Sequence, residues 1–263
     1  MIGIEAVLRR ERAVIAAGLA ALAALAWVYV WQGAGMGMSA IDMTTLSLFP
    51  HLQADVMGEM DSTWPVVVGM WWVMMIAMMT PSAAPLVLLY GLVLRRHPLA
   101  GRNSYLPSLL LLAGYLAVWL VFSVTAATLQ QVLQPAGLLS EMMLWSKSAA
   151  LSALVLAAAG AYQFSNLKHA CLAQCRNPVR FLTEHWRPGN FGSFLLGVRH
   201  GTYCVGCCWT LMALLFVGGV MNLIWIALLT LVVLVEKLAP AETIFGKLSG
   251  GLLIVWAIAT LLV

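Results

Sequence analysis

The chain has 263 residues, of which 62% are hydrophobic and 9% are charged, and its mean hydropathy is +0.93. A soluble domain carries roughly 25% charged residues, so this composition excludes a water-facing globular surface and predicts an integral membrane protein. The formal net charge of +4 follows the predicted topology and does not indicate nucleic-acid binding.

Apolar runs of about 20 residues are typical of membrane-spanning helices. They predict an all-α, polytopic helix bundle that occupies the whole chain, residues 1–263, as a single membrane domain. The predicted spans are residues 13–31, 64–94, 105–133, 147–164, 194–217, 223–236 and 248–263. The last two spans are short, so a count of six stays open beside the favoured count of seven.

The basic residues predict the orientation of these spans. Clusters of Lys and Arg precede the first span and follow the second, fourth and sixth, whereas residues 32–63, 134–146 and 218–222 contain neither. By the positive-inside rule, this pattern predicts a cytoplasmic N terminus. It also predicts a long external loop over residues 32–63 and a cytoplasmic loop over residues 165–193.

The second span contains a helical methionine stripe that includes Met74 and Met78, one turn apart. It begins below the external loop, which carries five more methionines beside histidine and carboxylates: Met36, Met38, Met43, Met57 and Met60. Together they suggest a collection path for a soft metal. Methionine is also a flexible core filler, so simple core packing stays an alternative.

Two prolines, Pro81 and Pro85, are expected to interrupt the second span. Proline removes a backbone donor and leaves carbonyls that hydroxyl groups, protein or a cavity must satisfy. Such an interruption at membrane depth either borders a site or is a packing kink. The sequence does not decide between the two.

The fifth span carries the most specific motif in the chain. His200, Cys204, Cys207, Cys208 and Met212 lie at i, i+4, i+7, i+8 and i+12, which places all five on one helical face. A single cysteine is an ordinary small hydrophobe, but three thiols with an imidazole favour a transition-metal site. Thiol and imidazole ligands suit Cu(I) or zinc, and the added thioether favours copper.

A second group of candidate ligands lies in the predicted cytoplasmic loop. His169, Cys171 and Cys175 have a spacing that can contribute to a separate metal site, with His185 ten residues further on. All five cysteines of the chain lie in reducing or shielded positions of the predicted topology, so free thiols are expected rather than disulfides.

Glu236, at the end of the sixth span, has three possible roles. It can be an oxygen ligand of the metal, a hydrogen-bond acceptor that orients His200, or the counter-ion of Arg199. The counter-ion role is the simplest of the three.

Residues 70–85, 171–176 and 199–209, with 216–222 and the pair Glu236-Lys237, resemble a bacterial family of predicted metal-binding integral membrane proteins. That family is catalogued as a domain of unknown function, and the resemblance covers about residues 64–238. It implies a multi-pass protein of the bacterial inner membrane with a bound metal. It does not imply a particular activity.

Two functions therefore stay open. The first is handling or delivery of a soft metal, with copper favoured and zinc an alternative, and with another membrane or periplasmic protein as the candidate partner. The second is a copper-dependent membrane oxidoreductase that acts on a lipophilic substrate. Thiolates beside an oxygen-activating metal are prone to oxidation, which weighs against the second. The sequence contains no phosphate-binding loop, so ATP-driven pumping by this chain is not expected.

Overall fold

A computed structural model describes residues 2–35, 37, 39–53, 63–96, 105–140, 143–238 and 242–263. Within these ranges the regular structure is helical and no strand is formed, which confirms the all-α prediction. An isolated bridge between Leu139 and Ser146 closes the turn before the fourth helix.

The described residues form ten α-helices and one short 3₁₀ helix, Pro50–Leu52. The α-helices are α1 (Ile2–Trp31), α2 (Trp64–Arg96), α3 (Tyr105–Leu133), α4 (Ala149–Gln163), α5 (Asn166–Arg176), α6 (Pro178–His185), α7 (Gly189–Ala213), α8 (Leu215–Gly218), α9 (Leu223–Leu238) and α10 (Glu242–Leu262).

Close packing of α3 on α7 forms the centre of the fold. Two glycines permit this approach: a Cβ atom added at Gly114 would collide with the carbonyl of Phe194, and one at Gly197 with that of Leu111. Helices α1 and α3 pack on α2, and α10 packs on α4. This arrangement holds α2, α5 and α9 around the inner face of α7.

Five of the described helices are long and apolar enough to cross a membrane, within the ranges Arg12–Trp31, Trp64–Arg95, Tyr105–Leu133, Gly189–Gly218 and Ile244–Leu262. Helices α4 and α5 would add a sixth span as a pair bent by 65°. The predicted span over residues 223–236 corresponds to α9, which has 16 residues. The count of seven spans and the orientation stay predictions.

The second span is one helix, α2, with Pro81 and Pro85 inside it, so the chain is not broken there, and a kink at the prolines stays a prediction. Two hydroxyls add hydrogen bonds to its backbone carbonyls at this level. Thr80 Oγ1 donates to the carbonyl of Ile76 at 2.6 Å, and Ser82 Oγ donates to that of Met79 at 2.9 Å. The two prolines leave the carbonyls of Ala77 and Pro81 without their helical donors, so these hydroxyls bind neighbouring carbonyls and do not replace the missing bonds.

The predicted cytoplasmic segment, residues 165–193, contains α5, α6 and the first turn of α7, and its cytoplasmic location stays a prediction. Ser165 caps α5 by accepting a hydrogen bond from the backbone N–H of Lys168 at 3.1 Å, and Pro178 opens α6. In the predicted external loop, Met43 is buried. Met36, Met38, Met57 and Met60 lie outside the described residues.

Candidate metal centre

The inner face of α7 is the face that the residue spacing predicts. His200, Cys204, Cys207, Cys208 and Met212 are all at most 2% exposed. On the other side of the same helix, Trp209 is 45% exposed. The predicted face is therefore confirmed, whereas the role of its residues as metal ligands stays a prediction.

Four thiols gather around Cys207. Its sulfur lies close to the thiols of Cys204 and Cys208 from α7 and of Cys175 from α5. We call these four residues the thiol cluster. Gly206 allows α5 to come close, because a Cβ atom there would lie 2.8 Å from the sulfur of Cys171.

The thiols of the cluster differ in their hydrogen bonds. Cys207 and Cys208 both donate to the backbone carbonyl of Cys204, with sulfur–oxygen distances of 3.1 and 2.9 Å. The sulfur of Cys204 instead accepts a hydrogen bond from the ammonium of Lys237 at 2.8 Å and lies 3.0 Å from the hydroxyl of Tyr115. Cys204 is thus the sulfur that faces a positive charge.

The proline-containing part of α2 faces this centre. Ser82 Oγ accepts a hydrogen bond from Lys237 Nζ at 3.0 Å and lies 3.5 Å from the hydroxyl of Tyr115. The same hydroxyl lies 3.2 Å from the carbonyl of Met79. Helices α2, α3, α7 and α9 therefore meet at Cys204.

His200 lies one turn before Cys204 in an aromatic pocket. Its ring stacks on Tyr115 with centroids 5.7 Å apart and meets the ring of Phe181, from α6, at 5.1 Å. Its Nδ1 atom is buried and has no hydrogen-bond partner among the residues that the structure describes. A nitrogen with a free lone pair in an apolar pocket can serve as a metal ligand.

Glu236 forms a buried ion pair with Lys168. The Lys168 ammonium donates to both carboxylate oxygens, at 2.9 and 2.7 Å, and Gln163 Nε2 donates to Oε1 at 2.9 Å. The expected pairing of Glu236 with Arg199 is therefore wrong: Arg199 is exposed, and α5 turns Lys168 inward. The ion pair between α5 and α9, together with the Gln163 amide from α4, joins these three helices.

The second group of predicted ligands does not form a site of its own in the described residues. Cys171 and Cys175 lie against α7, and Cys175 joins the thiol cluster. His169 is half-buried on α5, and His185 Nδ1 lies 3.0 Å from the carbonyl of Phe181. Cys175 is therefore placed beside the cysteines of α7 rather than in a separate site, and its role as a metal ligand stays a prediction.

The methionine stripe of α2 leads to the same centre. Met74 and Met78 are fully buried, and Ser82 follows at the next i+4 position on this face. Because Ser82 contacts Lys237, the stripe ends beside Cys204. Met212 is buried one turn beyond Cys208 on α7.

Sequence reasoning missed the polar residues that surround Cys204. Lys168 and Lys237 were assigned to basic loops, yet they are 2% and 5% exposed. The pair Glu236-Lys237 at the end of an apolar helix was the available signal, since buried charges require partners. Tyr115 and Ser82 gave no signal beyond their polarity in apolar helices.

The chemistry of the cluster favours an ion that needs few ligands. In the part of the chain that the structure describes, no three His, Cys, Asp or Glu side chains are arranged to hold one metal ion. Structural zinc sites have four such ligands. Cu(I) is stable with two thiolates, and soft sulfur ligands select it. Paired sulfurs around Cys207 therefore suit Cu(I) better than zinc.

Together these features describe a helical protein with a buried thiol centre. The family model of the PpoB2 copper chaperones matches residues 68–260, which include every residue of this centre. The chain belongs to this family. No curated protein and no solved structure matches this chain.

The buried ion pair predicts opposite effects of single and double substitutions. Lys168→Met or Glu236→Leu alone leaves one buried charge without its partner and is expected to cost about 3–5 kcal/mol of unfolding free energy. Lys168→Met/Glu236→Leu removes both charges and is expected to restore most of this loss. Thermal unfolding of the three purified variants measures the effect, and additive losses in the double variant would contradict the buried pair.

Proposed function

We propose that this chain is an integral membrane protein that accepts Cu(I) on the thiol cluster and passes it to a partner protein. The observation that carries the proposal is the contact of Cys207 with three further thiols at the buried centre. The copper chaperone family supports copper as the cargo. The partner would be another membrane protein or a periplasmic protein.

Cys204 and Cys207 are the pair that we propose as the primary ligands. They lie on the same face of α7, and their thiols are in contact. Metal-bound thiols lose their protons, so the positive charge of Lys237 beside Cys204 favours this pair over other pairs of the cluster. Cys175, Cys208 and His200 are within the same centre and can exchange with them.

A cluster with more sulfurs than the ion requires suits transfer rather than storage. A two-coordinate Cu(I) can accept a third thiolate before it releases one of the first two. Movement from one sulfur to the next then never exposes a bare ion. The thiols of Cys207 and Cys208, which donate to the carbonyl of Cys204, can rotate toward the metal without a change of backbone.

Met74 and Met78 lie on the proposed route by which the ion reaches the thiols. Thioethers are neutral soft ligands that bind Cu(I) more weakly than thiolates, so the ion would move from sulfur to sulfur toward tighter binding. The buried stripe ends at Ser82, which contacts Lys237. The other end of the stripe leads toward the predicted external side.

The oxidoreductase alternative is less favoured. The family is one of copper chaperones, and the sulfur-rich surroundings of Cys207 would themselves react with activated oxygen. No feature of the described residues favours a lipophilic substrate beside the thiols.

We also propose that the helices cross the bacterial inner membrane, with the N terminus in the cytoplasm. Large apolar side chains are exposed on several helices, including Leu25 (69%), Val121 (67%), Leu154 (67%) and Leu252 (67%). Lipid would cover such surfaces, whereas their exposure to water would be unfavourable. We expect the chain to stay in the membrane pellet after alkaline carbonate extraction, and its release into the supernatant would contradict this location.

The proposed function predicts that Cys204→Ser/Cys207→Ser abolishes Cu(I) binding, because it removes both primary ligands and the sulfur that joins the cluster. The affinity is measured anaerobically on purified protein by competition with a chromophoric Cu(I) chelator. Cys171→Ser, which changes a half-buried cysteine outside the cluster, is the matched control and should retain binding. Unchanged copper binding by the double variant would refute the thiol site.

The same assay, followed over time, tests the methionine route. Met74→Leu/Met78→Leu keeps the apolar volume and removes two thioethers, so folding should be preserved. Slower loading with an unchanged final affinity is the expected result. Loading at the rate of the unsubstituted protein would exclude these methionines from the route.

A further inference from the structure

Lys237 is a buried cation within a group of sulfurs. Its side chain lies in the last turn of α9, is 5% exposed, and donates to Cys204 Sγ at 2.8 Å and to Ser82 Oγ at 3.0 Å. Cys207 and Cys175 are close enough to contribute electrostatically to its surroundings. A lysine in this position needs an explanation, because burial of an unpaired charge is costly.

A carboxylate does not supply the counter-charge. The neighbouring Glu236 is directed to Lys168 and Gln163. Among the described residues, no Asp or Glu forms an ion pair with Lys237. Within the described residues, the nearest group that can carry the balancing negative charge is the sulfur of Cys204, as a thiolate.

The charges of the thiolates, the ion and the Lys237 ammonium must also balance when an ion is bound. Two thiolates with a monovalent ion carry a net charge of −1, which the ammonium of Lys237 neutralises. Two thiolates with a divalent ion are already neutral, so the ammonium would be left without a counter-charge. A third thiolate would restore the balance for a divalent ion, but no three such ligands are already arranged around one point in the described residues, so a divalent ion would first require the cluster to rearrange.

We propose that Lys237 determines the charge of the ion that the thiol cluster accepts, selecting monovalent soft cations such as Cu(I) over divalent ions such as Zn(II). This inference rests on the proposed function. It assigns to Lys237 a role in specificity that is separate from metal ligation, since an ammonium has no lone pair to offer. The residue acts through its fixed charge beside Cys204.

A purely structural role makes a different prediction. Lys237 joins α9 to α2 and α7, so its loss can weaken the fold and thereby the binding of every metal. A structural loss lowers the affinities for Cu(I) and Zn(II) together. A loss of charge instead changes their ratio, because the repulsion of a divalent ion is twice that of a monovalent ion at the same place.

The test compares Cu(I) and Zn(II) affinities of the purified full chain, each by chelator competition. Lys237→Met removes the charge, Lys237→Arg retains it, and Lys247→Met replaces an exposed lysine of α10 as the matched control. We expect the ratio of Cu(I) to Zn(II) affinity to fall at least about tenfold in Lys237→Met. It should stay unchanged in Lys237→Arg and Lys247→Met.

Lys237→Gln is the second neutral variant, and it is measured in the same way if Lys237→Met does not fold. Its amide is neutral but can still donate to Cys204 and Ser82, so it separates charge from hydrogen bonding. The same fall in the ratio is expected. An unchanged ratio in a folded neutral variant would overturn the inference and leave the copper site intact, whereas failure of the unsubstituted chain to bind Cu(I) would overturn both.

Discussion

The contact between the ammonium of Lys237 and the sulfur of Cys204 is the interaction on which the centre depends. Next to it in the chain, Glu236 forms a second buried ion pair with Lys168. Opposite charges at successive positions of α9 thus bind different partners: Glu236 faces α4 and α5, and Lys237 faces α2 and α7. Because an uncompensated buried charge costs several kcal/mol, these contacts fix the helices around the thiols.

The sequence predicted those parts of the centre that depend on a single helix. The spacing from His200 to Met212 identified the buried face of α7, since helical periodicity is a local property. Gly206 lies on the same helix and leaves room for the close approach of α5. The arrival of Cys175 at Cys207 depends on the bend between α4 and α5, which no local pattern encodes.

Errors arose where tertiary contacts overrode a general rule. The positive-inside rule treats every lysine near a helix end as a loop charge, and Lys168 and Lys237 are instead neutralised inside the fold. Proline was expected to break α2, but the helix continues through Pro81 and Pro85. For the two lysines, a specific partner, the carboxylate of Glu236 or the sulfur of Cys204, offsets the cost of burial.

The central claim is that two sulfurs of the thiol cluster bind Cu(I). Copper K-edge X-ray absorption of the protein loaded with one equivalent of copper under anaerobic conditions tests it most directly. The account predicts the edge of Cu(I) and a first shell of two sulfur atoms. A first shell of nitrogen or oxygen, or an edge characteristic of Cu(II) under these conditions, would contradict it.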